Sequence, residues 1–290
     1  MIKADKPTPA PPLSPPLAND VVPAVPAVAR LSPGVLLWQK PSLILFLALF
    51  AVNEALLFLK VTALGWEAAF LGAAVLCAVV SLARRLPLQN VLTAGVLILC
   101  VTGVFVSIGA VTGVPFGPIL YNPELGPRLF DAAPWSLLLL WVVVVIHGRG
   151  VARLFMRPWR KTNYYGYWVM GWTGLLAVHF DLALEPFATE VRNYWLWQPT
   201  LTLIQWHGAP WVNFLGWFMT TLAVLCCTLP WLINKQPVKR AMDYHPLLCW
   251  MALHVWLATG NALHGTWDAV VVSALGCAAT CVFAVRGARW

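Results

Sequence analysis

Asp181 and Glu185 stand four residues apart in the run YYGYWVMGWTGLLAVHFDLALEP, residues 164–186. On a continuous helix that spacing sets two side chains on one face. Two carboxyls so placed on an apolar helix are poorly hydrated and repel each other's charge. At least one should then keep its proton near neutral pH and be able to give it to a substrate. His179, two residues before Asp181, lies about 200° around the helix and faces elsewhere. The plainer alternative is that Asp181 caps a helix or pairs with Arg192. Glu54 is the other carboxyl well inside an apolar run. An ionisable group there costs about 2.5–3.5 kcal/mol to insert and is by default a candidate for function.

Other chemistries find less support. The six histidines, His147, His179, His207, His245, His254 and His264, include no pair at i, i+3 or i+4, and HExxH is absent. Histidine-rich di-iron and zinc-protease sites need such spacings. Lys60 is the sole candidate for a Schiff base, and it falls at a predicted helix end. No glycine-rich nucleotide motif is present. The seven cysteines form no CxxC and read as small buried hydrophobes rather than as a disulfide or zinc framework. The expectation is a site with neither metal nor cofactor.

These side chains must be held by membrane helices. Of the 290 residues, 60% are hydrophobic and 10% charged, with mean hydropathy +0.74. A helix crosses the hydrocarbon core in about 20 apolar residues. Eight runs qualify: 41–60, 66–83, 91–111, 134–150, 164–184, 210–232, 246–263 and 268–285. The fold expected is an all-α, polytopic membrane helix bundle, a single domain over residues 39–290. Sixteen of the 19 Lys and Arg residues fall on alternate connections, with only Lys60, Arg128 and Arg192 opposite. Both termini are therefore expected to be cytoplasmic. The net charge of +8 then faces an anionic leaflet and calls for no nucleic-acid partner. Residues 1–38 carry nine prolines and read as a disordered cytoplasmic tail without the apolar core of a signal peptide.

Two irregular outer segments are expected, at 112–133 and 185–209. The first belongs to VTGVPFGPILYNPELGPRLF, residues 111–130, with three glycines and four prolines. Irregular backbone at membrane depth is tolerated where it is buried or lines a cavity. Glu124 reads as a cap or a partner of Arg128. The 17 tryptophans exceed what an interfacial belt needs, and WLWQ at 195–198 with Trp206, Trp211 and Trp217 crowds one end. Such rings can line a slot for a polyene or steady a carbocation.

Three blocks carry a resemblance. VTGVPFG at 111–117, with Tyr121 and ELGP at 124–127, is similar to the TGxPFGxYxYxxxLGP signature of the CruF-type carotenoid biosynthesis proteins. FDLALEPFATEVRNYWLW at 180–197 resembles that family's WDLxLDPxMVxxGxWxW. HGAPWVNFLGWF at 207–218 resembles its GIPxxNFLGWF. Ile119, Phe180 and Glu185 depart from the pattern, and Val106 and Ser107 stand where an acid is expected, leaving Glu54 as its candidate replacement. The resemblance implies a cofactor-independent carotenoid hydratase. It would add water to the terminal 1,2 double bond of an acyclic ψ end group through a tertiary carbocation. Asp181 would donate the proton and Glu185 would handle the water, or the reverse. Phe116, Tyr121, Trp172, Trp195, Trp197, Asn213 and Trp217 would bind the end group, with residues 115–127 as a lid. The substrate would come from the bilayer, with other enzymes of carotenoid synthesis as partners, in a multi-pass protein of the bacterial cytoplasmic membrane. A carotenoid end-group cyclase, or a protein that binds or transports carotenoid or lipid without changing it, remains the alternative.

Overall fold

The computed structural model describes residues 37–199, 204–233 and 242–290. The expected proline-rich tail lies outside the described residues, apart from Leu37 and Trp38. Among the described residues eight long helices follow in order: α1 Gln39–Phe58, α2 Leu64–Ala83, α3 Leu88–Thr112, α4 Trp135–Phe155, α5 Tyr165–Pro186, α6 Trp211–Leu232, α7 His245–His264 and α8 Trp267–Ala288. Each answers one of the eight apolar runs, with α4 extending beyond the expected end at 150.

Their boundaries have local causes. Gly113, at φ +75°, adopts the left-handed conformation that closes α3. α4 and α6 each start just after an extended proline, Pro134 and Pro210, which lends no donor and presets the entering backbone. Pro186 lies at the end of α5, and the chain widens there into a π-helical turn, Phe187–Val191. Having no N–H, Pro186 leaves the Leu182 carbonyl, four residues back, without its helical donor. The Trp206 indole donates to that carbonyl at 3.0 Å, and Asn261 Nδ2 donates to the neighbouring Ala183 carbonyl at 2.9 Å.

α4 is the central pillar. Its apolar span is 78% buried, against 22% for α1 and for α8, and it packs on α2, α3, α5, α7 and α8. α5 fills the space between α4, α6 and α8. Seven of the eight helices are long and apolar enough to cross a membrane, and α5 is the one that falls short. The chain is an all-α, multi-pass membrane bundle.

Short strands join the helix ends. β1 Ile119–Tyr121 pairs antiparallel with β4 Trp195–Trp197, setting Ile119 opposite Trp197 and Tyr121 opposite Trp195. β2 Arg128–Leu129 pairs with β3 Ala133–Pro134, and β5 Gln205–Trp206 with β6 Ala209–Pro210. The cysteine expectation needs correcting. All seven are free, but only Cys77 and Cys249 are buried, while Cys100, Cys226, Cys227 and Cys281 are exposed. In a bundle surrounded by lipid, apolar residues are as comfortable outside as inside, so hydrophobicity alone did not place them.

Candidate active site

The carboxyl pair sits at the end of α5, one turn apart on one face, with Asp181 0% and Glu185 1% exposed. Facing it from the first turn of α6 is Asn213, also buried. Its amide Nδ2 lies 2.6 Å from Asp181 Oδ2 and 2.9 Å from Glu185 Oε1. One NH₂ group thus bridges the two carboxyls. The outer oxygen of Glu185, Oε2, accepts the indole N–H groups of Trp195 at 3.1 Å and Trp197 at 2.8 Å. Asp181 Oδ1 is buried without a hydrogen-bond partner. Glu185 therefore gathers three N–H donors and Asp181 one.

Alternation along β4 would put Trp195 and Trp197 on the same side of the strand, and this is why both reach Glu185. The partner strand brings Ile119 and Tyr121 to the same place. Phe116 is wedged against Gly109 of α3 and Gly216 of α6, where a methyl group would come within 2.7 and 2.8 Å of its ring. Gly117, at φ +110°, turns the chain beneath Pro210. The irregular segment after α3 therefore packs against α3 and α6, and its Phe116, Ile119 and Tyr121 share a cavity wall with Glu185.

Together these residues enclose a small cavity. Phe116, Tyr121, Glu185, Trp195, Asn213 and Trp217 line it, with Val106, Ile119, Leu137 and Trp141 completing the wall. About 20 Å³ is open to a water centre, enough for roughly one water. Trp141 and Trp217 stack with centroids 4.1 Å apart, and Tyr121 meets Trp195 edge-on at 6.2 Å. Burial and the nearby Glu185 and Asp181 carboxyls push the Tyr121 phenol up, so it stays protonated at neutral pH. Among the described residues, no group of three or more His, Cys, Asp or Glu side chains is placed to hold a metal ion.

Two expected members lie elsewhere. Trp172 stacks edge-on with Phe155 at 5.7 Å and lines a separate cleft with Trp159 and Phe283. It is nine residues from Asp181, two and a half turns at about 3.6 residues per turn, which puts it on the opposite face of α5. Glu54 faces Thr259 of α7 instead of the acid pair. Arg192 does not pair with Asp181 either. Its Nε lies 2.8 Å from Glu67 Oε1, and Tyr194 donates to the other oxygen of Glu67. Arg128 donates to the Tyr121 carbonyl at 2.8 Å, and Glu124 is exposed, its backbone N–H held by Asn122. His179 does face away, stacked on His254 at 4.4 Å.

The sequence reading passed over Trp141 and the Glu67–Arg192–Tyr194 group. Trp141 lies six residues inside α4, too deep for an interfacial belt, and that position was the available signal. Glu67 and Arg192 are 125 residues apart, with no local pattern to join them.

A profile of the carotenoid biosynthesis protein family matches residues 64–280, more than half of the chain. The chain belongs to this family. The matched stretch contains α2 to α7 and most of α8, with the whole of the acid-lined cavity. The chain is also similar to bisanhydrobacterioruberin hydratase of Haloarcula japonica, 27% identical over 119 residues. That alignment covers 41% of this chain and 38% of the relative, well under half of each. The relative is archaeal, so the match lends nothing to the bacterial membrane expected above. No solved structure matches the chain.

Proposed function

We propose that this member of the carotenoid biosynthesis protein family is a hydratase acting on the terminal double bond of an acyclic carotenoid end. The observation that carries the reading is the Asn213 amide bridging two buried carboxyls, one of which, Glu185, lines an aromatic cavity together with Asn213. A protonated Asp181 gives its proton to C2 of the end group, leaving a tertiary cation at C1. The π-faces of Trp141 and Trp217 steady that charge. One water, held by Glu185, adds to C1 and loses a proton to Glu185. Transfer of that proton back to Asp181, one turn away, restores the starting state. The net change is one water added, with no electrons gained or lost.

The unequal donor sets support this division of roles. Three N–H groups on Glu185 favour the anion that accepts a proton from water. Asp181, with one donor and an oxygen lacking a partner, is the better seat for the transferable proton. The name of the haloarchaeal relative agrees with the reaction class. The positive-inside bias belongs to the same proposal, with both termini cytoplasmic and the acid pair near the opposite face.

Incubating membranes that contain the protein with lycopene in ¹⁸O-labelled water tests the reaction. The expected product is heavier by one water and carries the label. A ring-closed product of unchanged mass would make the protein a cyclase, and unaltered lycopene would leave it a binding protein.

A further inference from the structure

A second cavity lies beside the first, larger and of different character. Its free space is about 110 Å³ against about 20 Å³ for the acid cavity. Both are walled by Leu137 and Trp195, so they adjoin across these two side chains. On α5 the division follows helical phase. Glu185 lines the acid cavity, while Phe180 and Leu184 line the larger one.

The inner wall, with Phe70, Leu253 and Leu257, is buried. The outer rim, with Ala68 exposed and Leu71, Leu125 and Leu140 half-buried, is not. The chamber therefore opens sideways between α2 and α4, on the flank of the bundle. Its polar groups are largely occupied. Ser136 donates to the Leu125 carbonyl, Tyr194 donates to Glu67, and Glu67 pairs with Arg192. A ligand entering here meets apolar walls and finds few hydrogen-bond partners.

We propose that this chamber is the lateral entry and binding site for the hydrocarbon part of the substrate, a methyl-branched polyene taken from the bilayer. Its leading end passes Leu137 and Trp195 to reach the acid cavity. The assignment rests on the carotenoid reading above, and on an apolar, side-opening chamber that adjoins the Glu185 cavity across Leu137 and Trp195. Trp195 then has two duties, donating to Glu185 and forming the partition that the end group must pass.

Two substitutions on neighbouring exposed alanines test it. Ala68→Trp plugs the rim, whereas Ala69→Trp adds the same bulk to the lipid-facing surface of α2 outside the chamber. Purified full-length protein in lipid nanodiscs is titrated with lycopene, and quenching of tryptophan emission is recorded. Half-saturation is expected to need about tenfold more lycopene in Ala68→Trp, a change worth about 1.4 kcal/mol, and to be unchanged in Ala69→Trp. Wild-type affinity in a folded Ala68→Trp protein overturns the chamber, whatever the fate of the hydratase reading. Uptake that Ala68→Trp blocks, without water addition by the wild type, keeps the chamber and removes the hydratase. Should Ala68→Trp not accumulate, a diazirine-bearing polyene is expected to label residues 64–71 and 253–257 of the wild type. Labelling confined to other helices overturns the proposal.

Discussion

At the scale of single residues, the two carboxyls differ in what surrounds them more than in what they are. Asp181→Asn removes the acid and keeps the shape, so turnover of lycopene in membranes should fall by about 10²- to 10⁴-fold, the usual contribution of a positioned acid or base. Trp197→Phe keeps an aromatic ring but removes one donor from Glu185. A charged hydrogen bond of about 1.5–3 kcal/mol is at stake, so a loss of about tenfold or more is expected, with lycopene affinity retained. Equal turnover in Asp181→Asn and wild type would end the assignment. The placement of Asp181 and Glu185 on one face was readable from their spacing alone. Asn213 was reached only through the NFLGWF block, since a lone Asn at a helix start more often serves as a cap. Trp172 was misplaced because its ring type was counted and its helical phase was not.

At the scale of elements, helices supply the carboxyls and Asn213, while segments that are not helices supply Phe116, Ile119, Tyr121 and Trp195 of the cavity wall. Gly and Pro in VTGVPFGPILYNPELGPRLF announced a break after α3. They said nothing of its partner, because the β1–β4 register joins residues 119–121 to 195–197, far beyond any local period. The Glu67–Arg192–Tyr194 group fastens the same region to α2. Burial and the neighbouring Glu67 carboxylate push the Tyr194 phenol up, so it remains a donor. Arg192→Met should strand Glu67 in a buried place, at a loss of roughly 3–5 kcal/mol read as a lower melting temperature in detergent. Adding Glu67→Leu to that variant should recover most of the loss. Failure of the second substitution to help would mean that Arg192 acts through the guanidinium hydrogen bonds it donates to the Val61 carbonyl and the Thr62 hydroxyl, each at 3.3 Å, not through its pairing with Glu67.

At the scale of the whole molecule, helix number was the most legible property, because length and hydropathy are set by the bilayer and not by neighbours. Which faces turn inward was far less legible, as the exposed cysteines show. Outside the helices, Asp243 ties the α7 entry to α2. Burial alone would raise its carboxyl, but His245 at 2.7 Å and Ser81 at 2.6 Å outweigh that and hold it at about 2. Its folded value lies below its unfolded one, so the contribution is full above about pH 4 and fades as pH falls through about 2. Asp243→Asn should therefore lower stability at neutral pH by on the order of 2 kcal/mol. Melting curves of variant and wild type should converge as the medium is acidified, and a constant gap would refute the linkage. Cysteine-accessibility mapping in intact cells checks the orientation, with reagents expected to reach the 121–129 turn from outside and the 157–161 turn only after permeabilisation.

α5 falls short of its seven companions as an apolar span, and Asp181 and Glu185 are among the polar side chains it carries. The consequence belongs to biogenesis. A translocon weighs each emerging segment largely on its own, so the helix that bears the buried carboxyl pair is the one least able to enter lipid unaided. Expressed alone between reporter loops, α5 should partition poorly across the endoplasmic reticulum membrane by glycosylation mapping. Preceded by α4 and followed by α6, it should integrate fully. If α5 inserts as well alone as in company, its acids carry no such burden.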